Sequence, residues 1–160
     1  MKKLVITLCA VCAVTAGCLL YAAQTPAPVP AAAAENFSLP ALDGKEFKLE
    51  DSLGKGYVVL NFWARWCASC EEEVPQLAAL MKSTGTAKVL FVGVNVGDTE
   101  TKAAKFVSKF KYPYLVVMDK DKAVAKKYGV LGLPVTLIID PTRKIVFRGT
   151  RPPKTFDFAK

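Results

Sequence analysis

Two near-continuous apolar runs, residues 57–64 and 88–96, have strand length and no polar alternation, which predicts strands buried on both faces of a sheet. Between them Val74, Leu77, Ala78 and Met81 recur at three- and four-residue spacing, predicting a helix that runs to about Met81. Residues 99–111 place Ala103, Phe106, Val107 and Phe110 on one face and lysines on the other, an amphipathic helix. Residues 114–118 predict a short strand, and 120–128 a helix ended by Gly129. The pieces 135–140 and 144–150 read as a hairpin joined through Pro141, Thr142 and Arg143. A smaller hairpin is expected over 36–48, around the turn dipeptide Asp43-Gly44, followed by one helical turn at 49–53. Strand–helix–strand–helix and then a hairpin implies an α/β fold, a mostly parallel sheet with an antiparallel edge, flanked by helices.

The 160 residues fit one domain with short extensions, and the apolar content is enough for a core without staples. The sequence contains no His, which excludes a Cys/His nucleophilic enzyme, a Cys₂His₂ zinc site and an imidazole-bound copper site. The net charge of +8 is uneven. Residues 35–99 balance at −3 and residues 100–160 at +9. The plain reading is lysine-covered helices kept soluble; the sharper one is a basic flank facing anionic lipid or an acidic partner. No aromatic–basic interleaving accompanies the charge, so no nucleic-acid partner is expected.

Lys2 and Lys3 precede a long apolar stretch, residues 4–23, the pattern of an export signal. Val14-Thr15-Ala16-Gly17-Cys18 resembles a bacterial lipobox, with Cys18 as the lipidated residue. Cleavage near Ala23 is one alternative; retention as an anchor is another, since about 20 apolar residues can span a bilayer. The expected organisation is a signal, lipoprotein or anchor segment at 1–23, a semi-rigid Pro/Ala-rich linker at 24–34 and a folded domain at 35–160. The protein is expected outside the cytoplasm, in a bacterial periplasm or on the outer face of the cell membrane, tethered through its N-terminus.

Cys9, Cys12 and Cys18 lie in the N-terminal stretch, whereas Cys67 and Cys70 sit where the first buried strand gives way to a helix. Open α/β sheets commonly place their chemistry at that end. The first sulfur of such a pair faces unpaired backbone N–H groups and the positive end of the helix dipole, which favours the thiolate. Cys67 is therefore assigned attack on a disulfide and Cys70 release of the mixed disulfide. A zinc knuckle would need two further ligands that the body lacks. A structural bridge with so small a ring would constrain the unfolded chain only weakly.

The segment Asn61-Phe62-Trp63-Ala64-Arg65-Trp66-Cys67-Ala68-Ser69-Cys70, followed by Glu71-Glu72-Glu73-Val74-Pro75, resembles the TlpA/ResA-type branch of the thioredoxin superfamily. A second match is Tyr128-Gly129-Val130 with Gly132-Leu133-Pro134-Val135-Thr136 and Ile139-Asp140, in the right order and at the right separation. The resemblance covers roughly residues 36–150. It implies a thioredoxin-like fold, with a redox-active Cys67–Cys70 disulfide and neither cofactor nor metal. It also implies a cis Pro134 that, with Leu133 and Trp66, helps dock extended substrates. Glu73, three residues after the second cysteine, would relay a proton; thioredoxins proper carry a buried Asp where this chain has Asn61. A carboxylate partly buried near two thiols should have a raised pKa. The plainer reading of Glu73, as of Glu71 and Glu72, is an acidic residue complementing the helix dipole. Trp63 and Phe62 are expected in the core, and Pro75 matches a helix-kinking proline with no chemical role.

The resemblance further implies a dithiol reductase of exported disulfide-bonded proteins, such as apocytochrome c in cytochrome c maturation, fed by a membrane thiol-electron donor; the chain is expected to be a monomer. Glu71, Glu72 and Glu73 would oppose thiolate formation and make the protein a better reductant. The alternatives are a thiol oxidase or isomerase, a peroxiredoxin-like peroxidase and a redox-inert binding module. After Thr150, the adjacent Pro152 and Pro153 and a short tail predict a stunted or missing C-terminal helix. Either Phe156 and Phe158 cover that face of the sheet, or a partner does.

Overall fold

The computed structural model describes residues 33–159; the expected segment 1–23 with Cys18, and the linker up to residue 32, lie outside the described residues. In chain order the elements are β1 (Ser38–Pro40), β2 (Glu46–Lys48), a 3₁₀ turn (Leu49–Asp51), β3 (Tyr57–Trp63), α1 (Ala68–Lys82) and β4 (Val89–Val96). Then follow α2 (Glu100–Phe110), β5 (Leu115–Asp119), α3 (Ala123–Lys127), β6 (Val135–Ile139) and β7 (Ile145–Gly149). β1 and β2 form the expected small hairpin, and the other strands form one sheet in the order β5-β4-β3-β6-β7. β3, β4 and β5 run parallel, while β6 lies antiparallel to both β3 and β7. This mixed sheet flanked by helices is the thioredoxin-like arrangement that the two sequence motifs imply.

The continuous apolar runs are explained by burial on both faces. Val58, Leu60 and Phe62 of β3 join Val92, Val94 and Val96 of β4 in a core shared with the hairpin and with Val124, Ala125 and Tyr128 around α3. On the opposite face Val59 packs with Leu80 and Phe91, and Trp63 packs with Val74 of α1 and Ala103 and Phe106 of α2. Gly93 of β4 has no side chain because the indole of Trp63 and the ring of Tyr114 fill its place; a Cβ there would lie 2.9 Å from Trp63 Nε1 and 3.1 Å from Tyr114 Cε2.

Local chemistry sets the ends of the elements. The helix expected over 120–128 is shorter, because Asp119 accepts the N–H groups of Val124 (3.1 Å) and Ala125 (2.7 Å) and Lys122 adopts a left-handed φ of 63°. The buried stripe of α1 is Cys70, Glu73, Val74, Leu77 and Leu80; it keeps Val74 and Leu77 of the predicted face, adds Cys70, Glu73 and Leu80, and leaves Ala78 and Met81 half-buried at its edge. The hairpin is fastened to the sheet edge by the Leu42 N–H to Val116 carbonyl bond (3.0 Å). At the opposite edge the Ala34 N–H donates to the Arg143 carbonyl (2.8 Å), so the last two residues of the expected linker lie against the domain.

No helix follows β7 among the described residues. The tail covers that face instead, with Phe156 buried against Val59, Leu80, Phe91 and Ile138. Its ring stands edge-on to Tyr57 at 5.2 Å between centroids. The Phe156 N–H donates to Ser83 Oγ (3.0 Å), and the Tyr57 hydroxyl donates to the Phe158 carbonyl. Phe156→Ala is therefore expected to cost about 3 kcal/mol by emptying this site. A fall in the denaturation midpoint checks it, and an unchanged midpoint would mean that the tail does not carry this part of the core.

Candidate active site

After β3 the chain turns through Ala64, Arg65 and Trp66, and the Cys67 N–H donates to the Ala64 carbonyl (3.1 Å). Cys67 is the N-cap of α1, in extended backbone (φ −93°, ψ 101°), and its Sγ accepts the Cys70 N–H at 3.2 Å. The cap residue of a helix ordinarily offers an oxygen here; in this chain the acceptor is the sulfur itself. Cys67 and Cys70 are joined as a disulfide with Cα atoms 5.3 Å apart. Both are buried, Cys67 at 6% exposure and Cys70 at 0%. Trp66 stands 63% exposed beside them and takes no part in the buried cluster around the cysteines, whereas Trp63 and Phe62 are fully buried.

The loop before the cysteines is tied down by a residue that sequence reasoning missed. Asp98 Oδ2 accepts the Arg65 N–H at 2.7 Å and the Asn95 side-chain amide at 3.0 Å. The Asp98 N–H donates in turn to Asn95 Oδ1 (3.3 Å). Asn95 is fully buried within an otherwise apolar strand, and a lone polar residue in such a run is the signal that could have found this clamp.

Glu73 lies one turn beyond Cys70 on the same face of α1 and is 1% exposed. Its Oε2 accepts from Asn61 Nδ2 (3.0 Å) and its Oε1 from the Thr136 hydroxyl (3.1 Å). Asn61 and Thr136 are direct cross-strand partners on β3 and β6, and the Asn61 amide also donates to Thr136 Oγ1 at 3.3 Å. The buried Tyr112 hydroxyl reaches Asn61 Oδ1 at 3.5 Å. Burial pushes the Glu73 carboxyl above its ordinary value; the bonds from Asn61 and Thr136, and the charge of Arg151, pull the other way without overcoming it. Thr136 and Tyr112 were not expected at the site. The sheet register sets Thr136 opposite Asn61, and the turn between α2 and β5 brings the Tyr112 hydroxyl to the same Asn61.

The Leu133–Pro134 peptide is cis. Val135 pairs with Phe62 near the end of β3, so Pro134 lies at the same end of the sheet as the cysteines. Leu133 packs against the cluster that holds Cys67 and Cys70. The structure thus gathers Cys67, Cys70, Glu73, Leu133 and Pro134 at one end of the sheet. Among the described residues no group of His, Cys, Asp or Glu is placed to hold a metal ion.

Residues 30–148 match the AhpC/TSA family model. The thiol-disulfide oxidoreductase ResA of Bacillus subtilis (strain 168) is 39% identical over 113 residues, 71% of this chain and 63% of its own length. ResA of Geobacillus thermodenitrificans (strain NG80-2) is 38% identical over 112 residues, 70% of this chain and 64% of its own length. The chain therefore spans just under two thirds of the length of these curated relatives. Among solved structures, MTB DsbF in its mixed oxidized and reduced forms is 35% identical, covering 74% of this chain and 87% of its own, with a TM-score of 0.63. A thiol-disulfide oxidoreductase from Bacteroides fragilis is 28% identical, covering 73% and 89%, with a TM-score of 0.67.

The raised Glu73 pKa makes a stability prediction. The folded protein holds this proton more tightly than the unfolded chain, so the contribution is complete below the ordinary value of 4.5 and is lost as pH rises through the raised value. Denaturant unfolding of the oxidised protein between about pH 4 and about pH 8 should show a decline that Glu73→Gln makes shallower, the remainder coming from the Asp119 carboxyl, which burial also raises. Equal slopes for the two proteins would mean that the carboxyl is not perturbed by burial.

Proposed function

The chain belongs to the AhpC/TSA family, in a thioredoxin-like fold with ResA-type relatives, and on that premise we propose that it is a thiol–disulfide oxidoreductase acting through Cys67 and Cys70. The observation that carries this reading is the capping of α1 by the Cys67 sulfur while Cys70 is wholly buried. A sulfur that already accepts a backbone N–H at a helix N-terminus is stabilised as a thiolate, the form that attacks disulfides.

In the reducing direction the Cys67 thiolate attacks one sulfur of a partner's disulfide. That S–S bond breaks, a mixed disulfide forms, and the partner's other sulfur leaves as a thiolate. Cys70, its proton passed to the Glu73 carboxylate, then attacks the Cys67 sulfur. The mixed bond breaks, the partner's second sulfur leaves, and the Cys67–Cys70 disulfide closes. Two electrons have moved from this protein to the partner, whose thiolates take up the two protons by way of solvent and Glu73. The raised carboxyl pKa suits that task, because it lies closer to a thiol's than an exposed carboxyl's does. Leu133, Pro134 and Trp66 form the docking surface for the partner's extended chain.

The resemblance to ResA-type proteins supports the finer reading: a monomeric dithiol reductase of exported proteins such as apocytochrome c, outside the cytoplasm, recharged by a membrane thiol donor. A lipid on Cys18 and the 24–34 linker would hold the 35–160 domain near that donor. Glu71 and Glu72 add negative charge near the pair and favour the reducing direction.

Two variants and one potential test this. Cys70→Ser should accumulate a mixed disulfide with a disulfide substrate, and Cys67→Ser should form none. The potential of the wild-type pair should fall well below about −120 mV, the oxidising end of the superfamily. A value near that end would make the protein an oxidase, and turnover of hydrogen peroxide would replace the reading with the peroxidase one.

A further inference from the structure

We propose that the cleft between the cysteine loop and α2 docks an acidic segment of the disulfide-bonded partner, a specificity surface that rests on the exchange activity proposed above. The cleft has a volume of about 210 Å³ and is lined by Arg65, Glu71, Lys105, Phe106, Lys109 and Phe110. Arg65 and Glu71 bracket the segment that carries Trp66, Cys67 and Cys70, and Phe106 belongs to the buried cluster that holds both cysteines, so the cleft adjoins the disulfide's surroundings.

Three cations face one carboxylate here. Among the described residues Arg65, Lys105 and Lys109 enter no ion pair, so the protein's own carboxylates do not neutralise them. Lys105 and Lys109 are four residues apart on α2, a like-charge spacing that a helix disfavours and that a bound anion relieves. The floor is aromatic: Phe106 is buried, and Lys109 Nζ sits 4.5 Å from the centre of the Phe110 ring. The walls are fixed, since Asp98, next to the Thr99 N-cap of α2, holds the backbone of Arg65. The chain's net charge of +8 favours the approach of an acidic partner. A concave, aromatic-floored site suits peptide side chains better than a lipid surface, which would lie across the rim.

The test uses a cyclic disulfide peptide flanked by Asp and Glu, and a twin flanked by Asn and Gln. Rates of oxidation of the full reduced chain are each divided by the rate for neutral hydroxyethyl disulfide. The acidic peptide should react about tenfold faster than its twin at about 0.01 M salt and lose that advantage towards about 1 M. Lys105→Glu with Lys109→Glu should abolish or invert the preference, and Lys105→Arg with Lys109→Arg should keep it. Equal rates for the two peptides, or a preference that survives charge reversal, would overturn the proposal. Calorimetry with Ser in place of both peptide cysteines reads docking without exchange. If hydroxyethyl disulfide is not consumed, the exchange activity fails and this binding alone decides the cleft. Binding to anionic phospholipid vesicles that the acidic peptide does not displace would likewise overturn it.

Discussion

β3 is pressed between two apolar layers, and its end at Trp63 fixes where the chemistry begins. One side of the strand packs on the hairpin and α3, the other on α1, α2 and the tail. A strand buried on both faces cannot slip by one residue without driving its whole apolar set into the wrong layer. The turn that follows is therefore delivered to one place, where Cys67 can cap α1 and Asp98 can hold Arg65. The same constraint points Asn61 towards α1, where it meets the carboxylate of Glu73.

That carboxylate works against stability. An acid placed among apolar residues prefers to stay protonated, and two hydrogen bonds only partly offset the loss of water. The surrounding core tolerates it because β3 and β6 each present a donor, Asn61 and Thr136, to one of its oxygens. In the proposed exchange this buried acid, one turn from a buried thiol, is the pair's proton partner. Stability and reactivity meet at one side chain, as they do in the Cys67 sulfur, which caps a helix and forms half of a disulfide.

Much of this was legible in the residue pattern. The runs 57–64 and 88–96 became β3 and β4, the face of Ala103 and Phe106 became the inner side of α2, and Asp43-Gly44 became the turn of the hairpin. Residues that meet through the sheet were harder to read. Thr136 is 63 positions from Glu73 and looks like an ordinary strand residue until β6 is laid against β3. Asp98 and Arg65 are 33 apart and meet only because α1 and α2 start at the same end of the sheet. The tail offered no period at all, and its burial depends on Tyr57, Ser83 and Ile138 arriving from three other elements.

What the sequence determined by itself is local: where strands and helices form, which cysteines pair at a helix start, and which glutamate follows them by one turn. These follow from hydrophobic period and backbone capping, whose reach is a few residues. The tertiary structure decided which polar groups are buried together, and so which acid has a raised pKa, which hydroxyl serves it, and which lysines line a cleft beside the disulfide. Those properties depend on the removal of water by segments distant in the chain, and desolvation exists only once the layers have closed.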